Sequence, residues 1–187
     1  MDQAKNSLPG SPITLIIGGA RSGKSHYAQR LAESRARPVL FVATAEAGDA
    51  EMAAKIARHR AERPATWATL EAPRGLAQTL AGVQPAPVVL LDCVTLWVSN
   101  LLLAEGASWE GAQAELEALL AWQRAGDSEL IIVTNEVGQG IVPMDALSRT
   151  YQHWLGAFNQ RLAAAADRVL LMVAGLAVDV KHLAEEA

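Results

Sequence analysis

The stretch Ile13-Thr14-Leu15-Ile16-Ile17-Gly18-Gly19-Ala20-Arg21-Ser22-Gly23-Lys24-Ser25 sets an uncharged, mostly β-branched run directly before a glycine-rich turn that closes on a lysine and a hydroxyl. Ile13 to Ile17 reads as a strand buried on both faces. Gly18 to Ser25 matches G-x-x-x-x-G-K-[ST]. From Lys24 to about Ala36, Tyr27, Ala28, Leu31 and Ala32 recur at helical spacing, and Pro38 marks the stop. Strand, glycine turn and helix together are the setting this motif needs to hold a nucleoside triphosphate. Glycines let backbone N–H groups turn toward the anion, and the helix presents its positive end to it. Lys24 supplies a point charge at the β and γ phosphates. The Ser25 hydroxyl can ligate a Mg²⁺ that bridges them.

Outward from this unit the same alternation continues. Val39 to Ala43 reads as a second strand, followed by a helix from about Asp49 to Glu62 with Asp49 as N-cap and Met52, Ala53 and Ile56 facing inward. Trp67 to Leu70 reads as a short strand, Arg74 to Leu80 as a short helix, and Val88 to Leu91 as a buried strand ending in Asp92. Helices follow over Thr95 to Ala104 and Trp109 to Arg124, then a strand over Leu130 to Thr134, a long helix over Asp145 to Ala165, and a last strand over Val169 to Val173. Strands and helices in turn predict an α/β fold: a P-loop NTPase fold of the RecA-like kind, its mostly parallel sheet covered by helices on both faces. The domain is expected over residues 12–187, after a polar, disordered tail over residues 1–11.

Composition narrows the function. The 187 residues are 51% hydrophobic and 19% charged, which excludes a disordered chain, and one domain of this size buries roughly 70% of its unfolded surface. A formal net charge of -4 leaves no basic footprint for nucleic acid. Cys93 is the only cysteine, so neither an intrachain disulfide nor a cysteine zinc cluster can form. No apolar run is long enough to span a bilayer, and the chain reads as cytoplasmic.

Other residues carry chemistry with less force. Asp92, at the carboxyl end of an apolar strand, stands where an acid meets Mg²⁺ in such sheets; a turn aspartate is the plain alternative. Glu136, just past the Leu130 to Thr134 strand, is either catalytic or a loop acid. His59 lies in Arg58-His59-Arg60-Ala61-Glu62-Arg63, seven residues after Met52 and three after Ile56, on the inward side of its helix. Neighbouring arginines disfavour imidazolium and offer donors to phosphate oxygens, so a neutral ring there could attack phosphorus. On the residues alone, a histidine at a helix C-terminus doing no chemistry is the commoner case. His26, His153 and His182 have less support still, and the five tryptophans are scattered as packing residues.

Several blocks in order resemble the bifunctional adenosylcobinamide kinase/adenosylcobinamide-phosphate guanylyltransferase family. They are Ile17 to Ser25, Ala43-Thr44-Ala45, Glu51-Met52 with Ile56 and His59-Arg60, Arg63-Pro64 with Trp67, Leu91 to Thr95, Asn100-Leu101-Leu102, Val133 to Gly138 with Gly140 to Pro143, and Asn159 to Ala163. The resemblance implies phosphorylation of adenosylcobinamide by ATP or GTP, then transfer of GMP from GTP. It makes His59 the residue that is guanylylated, while Lys24 is the catalytic charge of the phosphoryl-transfer step. It also implies nucleotide contacts from Gly18, Gly19, Ala20, Arg21, Ser22, Gly23, Lys24 and Ser25, from Ala43, Thr44 and Ala45, from Arg60, Ala61, Glu62 and Arg63, and from the acids Glu71 and Asp92. Ser25 and Asp92 would hold Mg²⁺. A homo-oligomer is implied, with a trimer among the states open. The rival readings are a small-molecule kinase without a covalent intermediate and a nucleotide-dependent switch, the latter lacking the guanine-reading N-K-x-D.

Overall fold

The computed structural model describes residues 12–48, 50–61 and 63–183. The expected tail over residues 1–11, the N-cap expected at Asp49, and Glu62 lie outside the described residues. Strands β1 (Ile13–Gly18), β2 (Val39–Ala43), β4 (Val88–Asp92) and β5 (Glu129–Asn135) are the continuous apolar runs, almost wholly buried. They pair in parallel with β3 (Ala68–Glu71) and β6 (Arg168–Val173) in the order β3-β2-β4-β5-β1-β6, and β7 (Leu176–Asp179) adds antiparallel to β6.

The helices fall on the two faces as chain direction requires. From β1 to β2 the chain moves one way across the sheet through α1 (Lys24–Ser34), and from β2 to β3 it continues through α2 (Ala50–Ala61). It then reverses through α3 (Leu76–Ala81), α4 (Val94–Leu102), α5 (Trp109–Ala125) and α6 (Ala146–Ala165), and right-handed crossovers put this second group on the opposite face. The core divides accordingly. Leu15, Val42, Leu91 and Ile132 pack against Trp97, Leu116, Leu120, Leu155 and Phe158 on one side. Ile16, Phe41, Leu90 and Ile131 pack against Ala28 and Ala32 on the other. Trp97 and Phe158 meet edge to face, their ring centroids 5.3 Å apart.

Some elements differ from the sequence expectations. Helix α1 stops at Ser34, two residues before Ala36, because Ala36 takes φ +50 and turns the chain out early. In α2, Ala53 is exposed; Met52, Ile56 and His59 share the half-buried stripe instead. Strand β7 and the short α7 (Val180–Leu183) follow the last strand that the sequence pattern predicts. Among the described residues no helix is long and apolar enough to cross a membrane.

Candidate active site

Strand β1 sits between β5 and β6, so the chain leaving its carboxyl end is flanked by two strand ends. Gly18 is required there: a Cβ on it would lie 2.5 Å from the Met172 carbonyl oxygen and 2.9 Å from Ser22 Oγ. The turn then passes through Arg21 at φ +56 and Gly23 at φ +96, left-handed conformations that curl the backbone into a cup. Gly23 caps α1 with no side-chain acceptor, and the first turn of the helix holds no acid, so its N–H groups remain for an anion. The Gly175 N–H donates to the Ser22 carbonyl at 3.0 Å, so the β6–β7 turn braces the cup from behind.

Lys24 is buried, its Nζ donating to the Gly19 carbonyl at 2.6 Å and reaching Ser22 Oγ at 3.4 Å. Burial lowers its pKa, opposed by the charges of Cys93 and Asp92. Asp92, at the end of β4, has its pKa raised by desolvation, while a hydrogen bond from Ser25 and the charges of His59, Arg63 and Lys24 pull the other way. The peptide bond between Asp92 and Cys93 is cis. The Cys93 thiol is pushed up to about 11, chiefly by burial, and so is no nucleophile near neutral pH.

The Ala43-Thr44-Ala45 segment is held from behind. Thr44 Oγ1 donates to the Cys93 carbonyl at 2.7 Å and accepts from the Cys93 N–H at 2.9 Å, while Asn100 Nδ2 donates to the Thr44 and Pro73 carbonyls at 2.7 and 3.1 Å. Across the cleft, α2 contributes His59 and Arg58. Arg63 stacks on the Phe41 ring, its guanidinium carbon 3.6 Å from the ring centroid, and its buried Nε has no hydrogen-bond partner among the described residues. Arg60 pairs with Glu71 on the outside, both side chains more than half exposed.

The resulting cleft, about 940 Å³, brings Ala20, Arg21, Ser22, Gly23, Lys24, Ser25, Ala43, Ala45, His59, Arg63 and Asp92 together. Gly18 and Gly19 do not line it, Gly18 being buried at the end of β1 and Gly19 exposed, and Thr44 is a buried support. Arg60, Ala61 and Glu71 are exposed and do not line the cleft. Glu136 does not line it either; its carboxylate accepts from the Gly138 N–H. Asn135 does line it, and no local signal marks it, because what fixes it comes from α4 and α6. Its N–H donates to Thr95 Oγ1 at 3.0 Å and its carbonyl accepts from Asn159 Nδ2 at 3.0 Å.

The donor set suits Mg²⁺. Ser25 and Asp92 offer hard oxygens, and no group of three or more His, Cys, Asp or Glu gathers among the described residues. Phosphates and water would have to complete such an ion's shell, which is how Mg²⁺ is usually held.

Residues 14–180 match the family described as cobinamide kinase / cobinamide phosphate guanyltransferase. The chain is 46% identical over 168 residues to the bifunctional adenosylcobalamin biosynthesis protein CobP of Pseudomonas aeruginosa, covering 89% of this chain and 96% of that one. It is 42% identical over 181 residues to the bifunctional adenosylcobalamin biosynthesis protein CobU of Salmonella typhimurium, covering 90% and 99%. Among solved structures, the flagellar accessory protein FlaH of Methanocaldococcus jannaschii superposes with a TM-score of 0.52 at 14% identity, over 88% of this chain and 72% of that one. A Pyrococcus horikoshii OT3 protein gives 0.53 at 7% identity, over 92% and 87%. These structural likenesses speak for the P-loop NTPase-like, RecA-like fold alone.

Proposed function

The chain belongs to the cobinamide kinase / cobinamide phosphate guanyltransferase family, and from that premise we propose how this cleft performs two successive group transfers. The enzyme is an adenosylcobinamide kinase and adenosylcobinamide-phosphate guanylyltransferase, using nucleotide and corrinoid substrates. In the first transfer the triphosphate lies in the cup from Gly18 to Ser25. The N–H groups of the cup and of the first turn of α1 hold the β and γ oxygens, and Lys24 swings from the Gly19 carbonyl to neutralise them. The acceptor hydroxyl attacks the γ-phosphorus, the bond to the β-phosphate oxygen breaks, and cobinamide phosphate and the nucleoside diphosphate result. Ser25 and Asp92 would hold Mg²⁺, which when bound supplies charge neutralisation at the β and γ oxygens.

In the second transfer His59 is the nucleophile. An imidazole nitrogen attacks the α-phosphorus of GTP, pyrophosphate leaves, and a P–N bond joins GMP to the ring. An oxygen of the cobinamide phosphate then attacks that phosphorus, the P–N bond breaks, and adenosylcobinamide-GDP forms. Arg63 and Arg58, on the same side of the cleft, supply charged donors to the oxygens at phosphorus. The observation that carries the proposal is that one cleft is lined by the phosphate cup on one side and by His59 and Arg63 on the other, with Asp92 near both. A homo-oligomer is part of the same reading, with the exposed apolar Leu176 and Val178 on the edge strand β7 as its contact material.

The test separates the two transfers in one preparation. With His59→Ala, chromatography should show cobinamide phosphate formed at a rate within about threefold of the parent and GMP transfer reduced at least a thousandfold. Equal loss of both products, or an undiminished second product, would contradict the assignment.

A further inference from the structure

The nucleotide chemistry leaves the connection between β5 and α6, residues 136–145, without a role. It starts at the phosphate site itself. Asn135 is the sheet partner of Gly18 and lines the cleft, and the Glu136 N–H donates to the Gly18 carbonyl at 3.1 Å. The strand exit is rigid. Asn159 Oδ1 accepts from Thr134 Oγ1 at 2.7 Å while its amide holds the Asn135 carbonyl, and Tyr151 OH donates to the carbonyl of Thr95, whose hydroxyl holds the Asn135 N–H.

The loop is braced by its backbone. Gln152 Nε2 donates to the Val137 carbonyl at 2.9 Å, Arg149 donates to the Pro143 and Met144 carbonyls at 3.0 and 2.5 Å, and Asp145 caps α6 by accepting from the Ser148 N–H at 2.8 Å. These bonds leave the apolar side chains of the loop in water: Ile141 is 96% exposed, Met144 98% and Val142 69%. From Val137 to Met144 there is no charged residue. An ordered apolar surface of this kind calls for a partner. The cleft carries Arg21, Lys24, Arg58, His59 and Arg63, a set of cationic and imidazole groups suited to phosphates, alongside apolar residues such as Met52, Ile56 and Leu96.

We propose that Ile141, Val142 and Met144 are the seat for the corrinoid acceptor, a large macrocycle whose periphery bears methyl groups and uncharged carboxamides. The ring rests on the loop, and the arm that ends in the reacting hydroxyl passes Asn135 into the cleft. This assignment rests on the kinase reading above. It explains why an apolar loop is tied to the first glycine of the phosphate cup: the contact sets the distance between the acceptor's ring and the γ-phosphate.

The experiment is a spectral titration of the full-length protein with adenosylcobinamide, in the parent, in the double variant Ile141→Ser/Met144→Ser, and in Val142→Ser. GTP affinity, melting temperature and sedimentation mass are measured alongside. The double variant should bind the corrinoid at least tenfold more weakly and Val142→Ser about threefold more weakly, with GTP affinity within twofold of the parent. Corrinoid affinity within twofold of the parent in the double variant would overturn the seat while leaving the kinase reading intact. A parent protein that binds GTP but no corrinoid would overturn the kinase reading and the seat with it. A lower sedimentation mass in the variants would assign the loop to a contact between copies of the chain and likewise overturn the seat.

Discussion

Replacing Gly18 with alanine should damage the fold through one contact. The added Cβ would stand 2.5 Å from the Met172 carbonyl oxygen, 2.9 Å from Ser22 Oγ and 3.2 Å from Met172 Cβ. A carbon against a carbonyl oxygen settles at about 3.3 Å or more, so β1 and β6 would have to part by roughly 0.8 Å. The obstacle is backbone, in parallel register with Gly18 itself, and cannot swing aside. Overpacking of this kind costs about 1–3 kcal/mol, and a lost ladder bond adds about 1 kcal/mol, giving about 3 kcal/mol in total. For a chain of this length that is a fall in melting temperature of about 6–12 °C. Gly19 is the control: a Cβ there meets nothing within 4 Å, so Gly19→Ala should melt within about 2 °C of the parent. Thermal and urea unfolding of the three nucleotide-free proteins measure this. Gly18→Ala melting within 2 °C of the parent, or Gly19→Ala falling as far as Gly18→Ala, would show that the Met172 carbonyl does not exclude a Cβ at Gly18.

Asp92→Asn should abolish phosphoryl transfer yet stabilise the nucleotide-free protein at pH 7. The folded pKa of Asp92 lies above its ordinary 3.8, so between the two values the native state binds more protons than the unfolded one and stability falls as pH rises. The advantage of the variant should therefore be near zero below pH 4 and reach its full size above the folded pKa; urea midpoints from pH 4 to 8 would show a constant or shrinking advantage if this is wrong. Ala174→Gly should raise the melting temperature by about 2 °C, because Ala174 is held at φ +50 and the change releases about 0.5–1 kcal/mol. Arg35→Ala should cost about 2 kcal/mol in urea unfolding: it strips the Glu129 carboxylate, 7% exposed, of a partner at 2.6 Å, and the one-third exposure of Arg35 keeps the loss below that of a fully buried pair. A midpoint unchanged from the parent would show that water or another group replaces the guanidinium.

What could be read from the chain is what local chemistry determines. The phosphate cup is legible because its defining positions answer local demands: Gly18 a close approach, Gly23 its φ, and Lys24 and Ser25 the phosphates. The inner strands are legible because both their faces are buried, which leaves continuous runs such as Val39 to Ala43. Strand β7 escapes because its turn places Ala174 and Gly175 at φ +50 and +84, where Asn-Gly would have announced a hairpin, and because its four residues are only half covered. The same substitution of alanine for the expected glycine, at Ala36, hides the true end of α1. Asn135 escapes for a different reason. Its place in the cleft depends on Thr95 and Asn159, which lie 40 and 24 residues away in the chain, and no window along the sequence contains all three. Arg60 and Glu71 show the converse: resemblance assigns them to the nucleotide, while in the fold they pair with each other outside the cleft.

The proposed second transfer depends on one covalent event, the bonding of GMP to His59 in the cleft that also holds the phosphate cup. Intact-mass spectrometry of the protein after incubation with GTP and Mg²⁺, with peptide mapping under conditions that preserve phosphoramidates, tests it most directly. The expected result is a mass increase of one GMP per chain, mapped to His59 and absent from His59→Ala. An unmodified protein with GTP binding confirmed, or an adduct that survives in His59→Ala, would contradict it.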